Sequence, residues 1–461
     1  MIECLESRIA PAGLIDVSFS HGNVVMKAVT GDAGDESATL TLPSADRLLI
    51  TPGANVAIRF EGTTSAPGAA LALDGFTGKL TASLGGGNDT LTLSGGTYPN
   101  DVSIDLGGGA NQFFTEAGDL RIMGKLQVRG GSGDDLVVFK NPKLTVDGPL
   151  SVASGAGSDT VQFTSAIAEL SVAGNVTIAA SGSRSVIVEQ SITGVGKVAI
   201  GGSLKMIAGT GDRVQQTVSG TAGSFTLGGG VTFSATNPTE HTQVLATNGT
   251  AMEIPGDVRM TSRALASSQT VSVQTSLTTA LGGRIILTGG TAVILSVDAT
   301  LADPVSITTS TGRNASVSVG DTHFGGSLRI ATKEAFGFTA SIALANIEVD
   351  GDLTITGGIG ATTLRVNQTH AHARFTATLG DGANRFLIEQ DNQAGASTFD
   401  GFVELTGGID ADTFLLGGTG NDAIQFLAAV IANGRGGTDT LTEGAASTHP
   451  SGLPLIQKSI P

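Results

Sequence analysis

The stretch GKLQVRGGSGDDLVVF (Gly124–Phe139) is followed 24 residues later by GPLSVASGAGSDTVQF (Gly148–Phe163). Leu126/Leu150, Val128/Val152, Gly131/Gly155, Gly133/Gly157, Asp135/Asp159, Val137/Val161 and Phe139/Phe163 coincide. Alternating apolar and polar residues mark half-buried strands, and the glycines between them mark a corner. Each copy therefore reads as strand, corner, strand.

Outward from this pair the same frame recurs, with Gly124 as position zero. It returns at Gly78, Asn100, Gly148, Gly174, Gly202, Gly229, Gly256, Gly283, Asp303, Gly326, Gly351, Ala373, Gly401 and Ala428, about 25 residues apart on average. Positions two and four residues on are apolar, as in Leu204/Met206 and Leu353/Ile355. A second pair follows the corner (Leu91/Leu93, Phe386/Ile388, Phe414/Leu416), and a third precedes each start (Leu144/Val146, Ile347/Val349). The expected fold is all-β: a single elongated parallel β-helix, or β-solenoid, with about 25 residues and three short strands per coil. One coil cannot bury its own apolar face, so the coils must stack. At ~4.8 Å per strand the stack is a rod on the order of 70 Å long.

Residues 1–45 read as an N-terminal segment and β cap, 46–443 as the β-helix, and 444–461, with three prolines, as a C-terminal tail or linker. No helix of convincing length is predicted; LAAVIAN (Leu427–Asn433) is the nearest candidate and is too short to carry a domain. The 461 residues include 67 Gly and are 40% hydrophobic, which excludes a disordered polar chain. Aromatics are only 4%, with no Trp, which suits a core of Val, Ile, Leu and Ala rungs. The net charge of −16 disfavours a nucleic-acid partner. Cys4 is the only cysteine, so no intrachain disulfide forms. No apolar run is long enough for a membrane-spanning helix, and the first twenty residues lack the basic start and apolar stretch of a signal peptide.

Two resemblances add to this reading. GGSGDDLVV (Gly130–Val138) and GGTGNDAIQ (Gly417–Gln425) are similar to the G-G-x-G-x-D-x-U-x nonapeptide of the repeats-in-toxin family; GGIDADTFL (Gly407–Leu415), SGAGSDTVQ (Ser154–Gln162) and GRGGTDTLT (Gly434–Thr442) are looser copies. That family binds calcium between successive nonapeptides. The resemblance implies calcium as a cofactor, with Asp135, Asp159, Asp410, Asp412, Asp422 and Asp439 as metal residues. Here the copies are mostly isolated, one per coil. The alternative is that glycine makes the corner and the aspartate caps its backbone. LESRIAPA (Leu5–Ala12) resembles the LE-x-R-x-x-P-A signature of planctomycete-type surface or secreted repeat proteins. That resemblance implies an extracellular or cell-surface location and a surface or matrix partner, glycan among the classes.

Other constellations carry less. His370 and His372 share one strand face, and the pair reads as solvated because the local sequence brings no cysteine or carboxylate cluster to it. Glu116, Asp119, Arg129 and Asp134 would be the acid/base set of a β-helix polysaccharide lyase or hydrolase, but dispersed surface charge explains them as well. Thr-x-Thr pairs such as Thr90/Thr92 suggest an ice-binding array, against which the varying coil length argues. The expectation is a non-enzymatic, adhesin-like surface or secreted structural solenoid, calcium-stabilised at its corners. A carbohydrate-active β-helix enzyme is the alternative.

Overall fold

A computed structural model describes residues 13–29, 34–181, 187–210, 213–220, 223–236, 240–247, 251–263, 268–275, 279–391, 393, 395–418, 423–452 and 455–458. Cys4, the LESRIAPA signature and Asp422 lie outside the described residues. Every regular element among them is a strand, and none is a helix. The chain divides into two compact units, Met1–Gly211 and Asp212–Pro461, each built from stacked parallel coils.

In the first unit one sheet stacks the strands Leu80–Ser83, Val102–Asp105, Leu126–Arg129, Leu150–Gly155, Val176–Ala180 and Leu204–Ala208. They are parallel, with Leu80, Val102, Leu126, Leu150, Val176 and Leu204 in one column. These are the positions two residues after each start in the sequence frame. In the second unit Val231, Val258, Ile285, Val305, Leu328, Leu353, Phe375, Val403 and Val430 form the equivalent column. The frame holds because a one-residue slip would turn every apolar side chain outward.

The core is the inside of the coil. Leu126, Val128, Val137, Phe139, Leu144 and Val146 of one turn are all fully buried, each contributing roughly 1.5–3 kcal/mol relative to exposure. The scarce aromatics are concentrated here and stack coil on coil: Phe139 on Phe163 at 4.3 Å and Phe386 on Phe414 at 4.5 Å between ring centroids.

The structure departs from the sequence frame in three places. Antiparallel pairing at the N-terminus runs past residue 45: Ser37–Ser44 pairs with Arg47–Pro52, and that strand with Leu71–Asp74. The inner strands of this cap nevertheless present parallel edges to the coils, Val24 against Leu80 and Ala38 against Leu91. The outer edge is thus a meander that closes the open end of the stack.

At the other end, the expected 444–461 tail contains strands. Ser447–Thr448 pairs with Ala423–Phe426, and Ile456–Lys458 pairs with Val430–Asn433. The apolar alternation fades there because Thr440–Glu443, the outermost strand of its stack, is largely exposed, while its backbone still needs ladder partners.

In the middle of the chain the second strand shifts relative to its start. Val161 pairs with Gln190, which fills an inward position of the first unit; Gln216, His241 and Gln243 do so in the second. In that second-unit group Gln243 donates to Gln216 Oε1 at 2.9 Å, and His241 Nδ1 lies 2.7 Å from Ser262 Oγ. Burial lowers the His241 pKa to about 3, so the ring is neutral.

Candidate functional site

Two groups of polar side chains are built by the coil geometry. The first is the corner ladder. Asp135, Asp159, Asp412 and Asp439 are all buried, facing the interior of the corner. Asp89 Oδ1 accepts the Glu36 amide, Asn111 Oδ1 the Asp89 amide, Asp135 Oδ1 the Asn111 amide and Asp159 Oδ1 the Asp135 amide, at 2.7–3.2 Å. The second oxygen of Asp135 takes the Gly131 amide, and that of Asp159 takes the Ser154 hydroxyl. In the second unit Asn384 Oδ1 accepts the Thr362 amide, Asp412 Oδ1 the Asn384 amide and Asp439 Oδ1 the Asp412 amide, while Asp412 Oδ2 accepts the Gly408 amide. Each side chain thus satisfies the amide at its own position one coil earlier. The capping alternative describes this geometry, and Asp410, from the same motif as Asp412, is exposed.

The ladder has a consequence for pH. Burial is the largest effect on Asp135 and Asp412 and pushes both up to about 6, against the amides that favour the charged form. A carboxyl whose folded pKa is raised stabilises the fold most when protonated. That contribution is full below the unfolded value of 3.8 and is lost as pH rises through about 6. Each group is worth at most about 3 kcal/mol across that window. Asp135→Asn and Asp412→Asn should therefore gain on the parent chain as melts move from pH 4.5 to pH 8. A constant Tm difference across that range would refute the assignment.

The second group lies on an outer face of the second unit. In the strands Ala315–Phe324, Thr339–Val349 and Ala361–Ala371, the second and third strands of the coil run on without a break. They turn the corner at Asp321, Asn346 and Gln368, which adopt φ of 50°, 54° and 46°. These three residues coincide, skipped by the pairing on either side. Asp and Asn tolerate the left-handed region better than most side chains, and Asn346 Nδ2 donates to Asp321 Oδ1 at 2.9 Å. Two residues past each bend, the side chain points outward at His323, Glu348 and His370, which are directly paired. The next outward positions hold Asp350, His372 and Asp400, whose amides continue the ladder to Phe324, Val349 and Ala371.

The result is a mixed imidazole–carboxylate cluster. His372 Nε2 lies 2.9 Å from Glu348 Oε1, and His372 Nδ1 lies 2.8 Å from Asp400 Oδ2. His370 Nε2 lies 3.2 Å from the same Asp400 oxygen, and His323 Nε2 lies 3.2 Å from Asp350 Oδ1. Hydrogen bonding to Glu348 and then Asp400 raises the His372 pKa, and the bond to His372 holds Glu348 below the usual carboxylate range. Burial pushes Asp400 up, but its bonds to His372 and His370 outweigh this and leave it lowered. An open groove of about 830 Å³ adjoins the cluster, lined by Asp298, Asp321, His323, Asn346, Glu348 and His370 among others.

The sequence-derived set is thus divided. Asp135 with Asp159, and Asp412 with Asp439, are brought together as ladder neighbours, while Asp410 stands apart on the surface. Among the described residues, the groups able to place three metal-ligand atoms together are Glu348/His370/His372 and His323/Glu348/Asp350, and no corner aspartate belongs to either. Reading His370 and His372 without carboxylates fails for a simple reason. Their acidic neighbours are 22–30 residues away in sequence and one coil away in space. The signal was available: with Val349 and Ala371 inward, residues 348, 350, 370 and 372 must point outward in paired columns.

Glu116, Asp119, Arg129 and Asp134 are all exposed, and Asp134 accepts the Ser158 amide. Asp119 lines a shallow groove with Arg121, Lys143 and Glu169, where Lys143–Glu169 and Arg121–Asp147 pair at 2.9 and 2.8 Å. Compared with known proteins, the chain matches no family model, no curated protein and no solved structure.

Proposed function

We propose that this chain is a non-enzymatic structural solenoid of the cell surface or extracellular matrix that contacts its partner through its outer faces. The observation that carries the reading is the corner ladder. The repeated aspartates serve the backbone between coils, so the chemistry written into these corners builds the stack. Adhesive contact is favoured by an exposed apolar set in the second unit. Phe336 is 81% exposed, in a chain that otherwise buries most of its aromatics, and Phe338, Ile359 and Ile409 are exposed as well.

Binding and turnover on a panel of acidic and neutral polysaccharides test this reading. Retention on a surface or matrix glycan without turnover is expected, weakened by Phe336→Ser. Cleavage of any of the glycans would reverse it in favour of the lyase or hydrolase alternative. Calcium enters the reading at the exposed Asp410, because the buried four are withdrawn from solvent and each already accepts an amide at one oxygen. Any calcium-dependent rise in Tm should vanish in Asp410→Ala and persist in Asp135→Asn; the reverse pattern would place the ion in the ladder.

A further inference from the structure

We propose that Glu348, His370 and His372, with His323 and Asp350 beside them, form a binding site for a divalent transition metal of the zinc class that staples successive coils of the second unit. The ligand atoms of Glu348, His370 and His372 all lie within 4.8 Å of one another, as do those of His323, Glu348 and Asp350, so Glu348 joins two overlapping triads. Zinc bonds of about 2.0–2.1 Å place tetrahedral donors roughly 3.4 Å apart. Half-exposed side chains on strands reach that spacing by small rotations, with no movement of the backbone. Two or three imidazoles with a carboxylate suit zinc, nickel or copper; calcium and magnesium prefer all-oxygen shells.

Three further features point the same way. Asp400 Oδ2, 2.8 Å from His372 Nδ1, is placed to hold that nitrogen protonated. The opposite nitrogen, Nε2, 2.9 Å from Glu348 Oε1, is then the metal-ligating atom, with the ion taking the place of the proton those two groups share, an arrangement in which an outer carboxylate orients the imidazole. His323 Nε2 is shielded from solvent and makes no hydrogen bond, although its ring is held from the other side by Thr300 Oγ1 at 3.1 Å from Nδ1. That nitrogen lies 3.2 Å from Asp350 Oδ1, the carboxylate oxygen with which it would share an ion. The adjoining groove supplies an entry path and leaves room for a water or anion to complete the shell. Glu348 lies on one strand and His370 with His372 on the next, so an ion in the first triad would tie those two coils together.

The test is calorimetric titration of the full chain, stripped with chelator, with zinc chloride and separately with calcium chloride. Saturable binding of about one zinc is expected, with a rise in Tm in zinc and none in calcium at this site. Glu348→Gln and His372→Gln should each weaken zinc by roughly 10–100-fold or more, while His21→Ala, at an exposed histidine far along the chain, should not. Far-ultraviolet circular dichroism checks that each variant keeps its strands. The near-isosteric Glu348→Gln keeps the test decisive if His372→Gln unfolds. No saturable binding, or binding unchanged in both variants, would overturn the proposal, the latter showing an adventitious ion only.

Discussion

Gly107→Ala should destabilise the first unit by more than about 3 kcal/mol, whereas Gly118→Ala should cost only about 1 kcal/mol. Both glycines have positive φ, +79° and +80°, so both substitutions carry the same left-handed penalty of about 1 kcal/mol. The difference is the space above them. A Cβ on Gly107 would sit 1.7 Å from the Gly85 carbonyl oxygen, while one on Gly118 meets nothing within 4 Å. Relieving the clash means moving the Gly85 carbonyl, which accepts the Gly108 amide at 2.8 Å and so links the two coils. The contact is repeated up the corner: a Cβ on Gly131 would lie 2.1 Å from Gly107 O, and one on Gly155 2.0 Å from Gly131 O. Backbone closeness, as much as turn conformation, demands glycine here. Urea unfolding of the two variants reads the difference directly. Equal losses would mean that the corner relaxes freely and that stacking does not select the residue.

Asp412→Ala should cost about 3 kcal/mol or more at pH 7, and Asp412→Asn far less. Removing the carboxylate strands the buried amides of Asn384 and Gly408, which it accepts at 2.8 Å each, and the Asn384 side-chain amide at 3.0 Å. A buried polar group left without a partner costs about 1–3 kcal/mol. Asparagine keeps the acceptor for Asn384 and removes a buried charge. The same position one coil earlier is already Asn384, whose amide donates to Gly380 O at 2.7 Å. A midpoint shift in Asn equal to that in Ala would show that the carboxylate acts by its charge, as an ion ligand would, and not as a backbone cap.

Residue by residue, the strands were legible and their neighbours across coils were not. The column from Leu80 to Leu204 follows from alternation and glycine spacing, because burial of one face sets the register wherever the inward residues are apolar. Alternation fails where Gln190, Gln216, His241 and Gln243 turn inward, since a period-two reading takes a polar residue as an outward one. The final strand pair, near Ile456, was hidden for the opposite reason: an end coil pairs its backbone with little left to bury.

The sequence by itself determined the repeat, the three-strand coil, the parallel stack and the inward set, because these depend on short-range periodicity. Only the tertiary structure decided where the polar atoms meet. It turned the Gly–Asp corners into an inward ladder, and it brought His323, Glu348, His370 and Asp400 to neighbouring rungs through bends at Asp321, Asn346 and Gln368. Coil length varies from turn to turn, so no fixed sequence spacing marks such partners. Stacking one rung on the next is what converts a separation of more than twenty residues into a contact of about 3 Å.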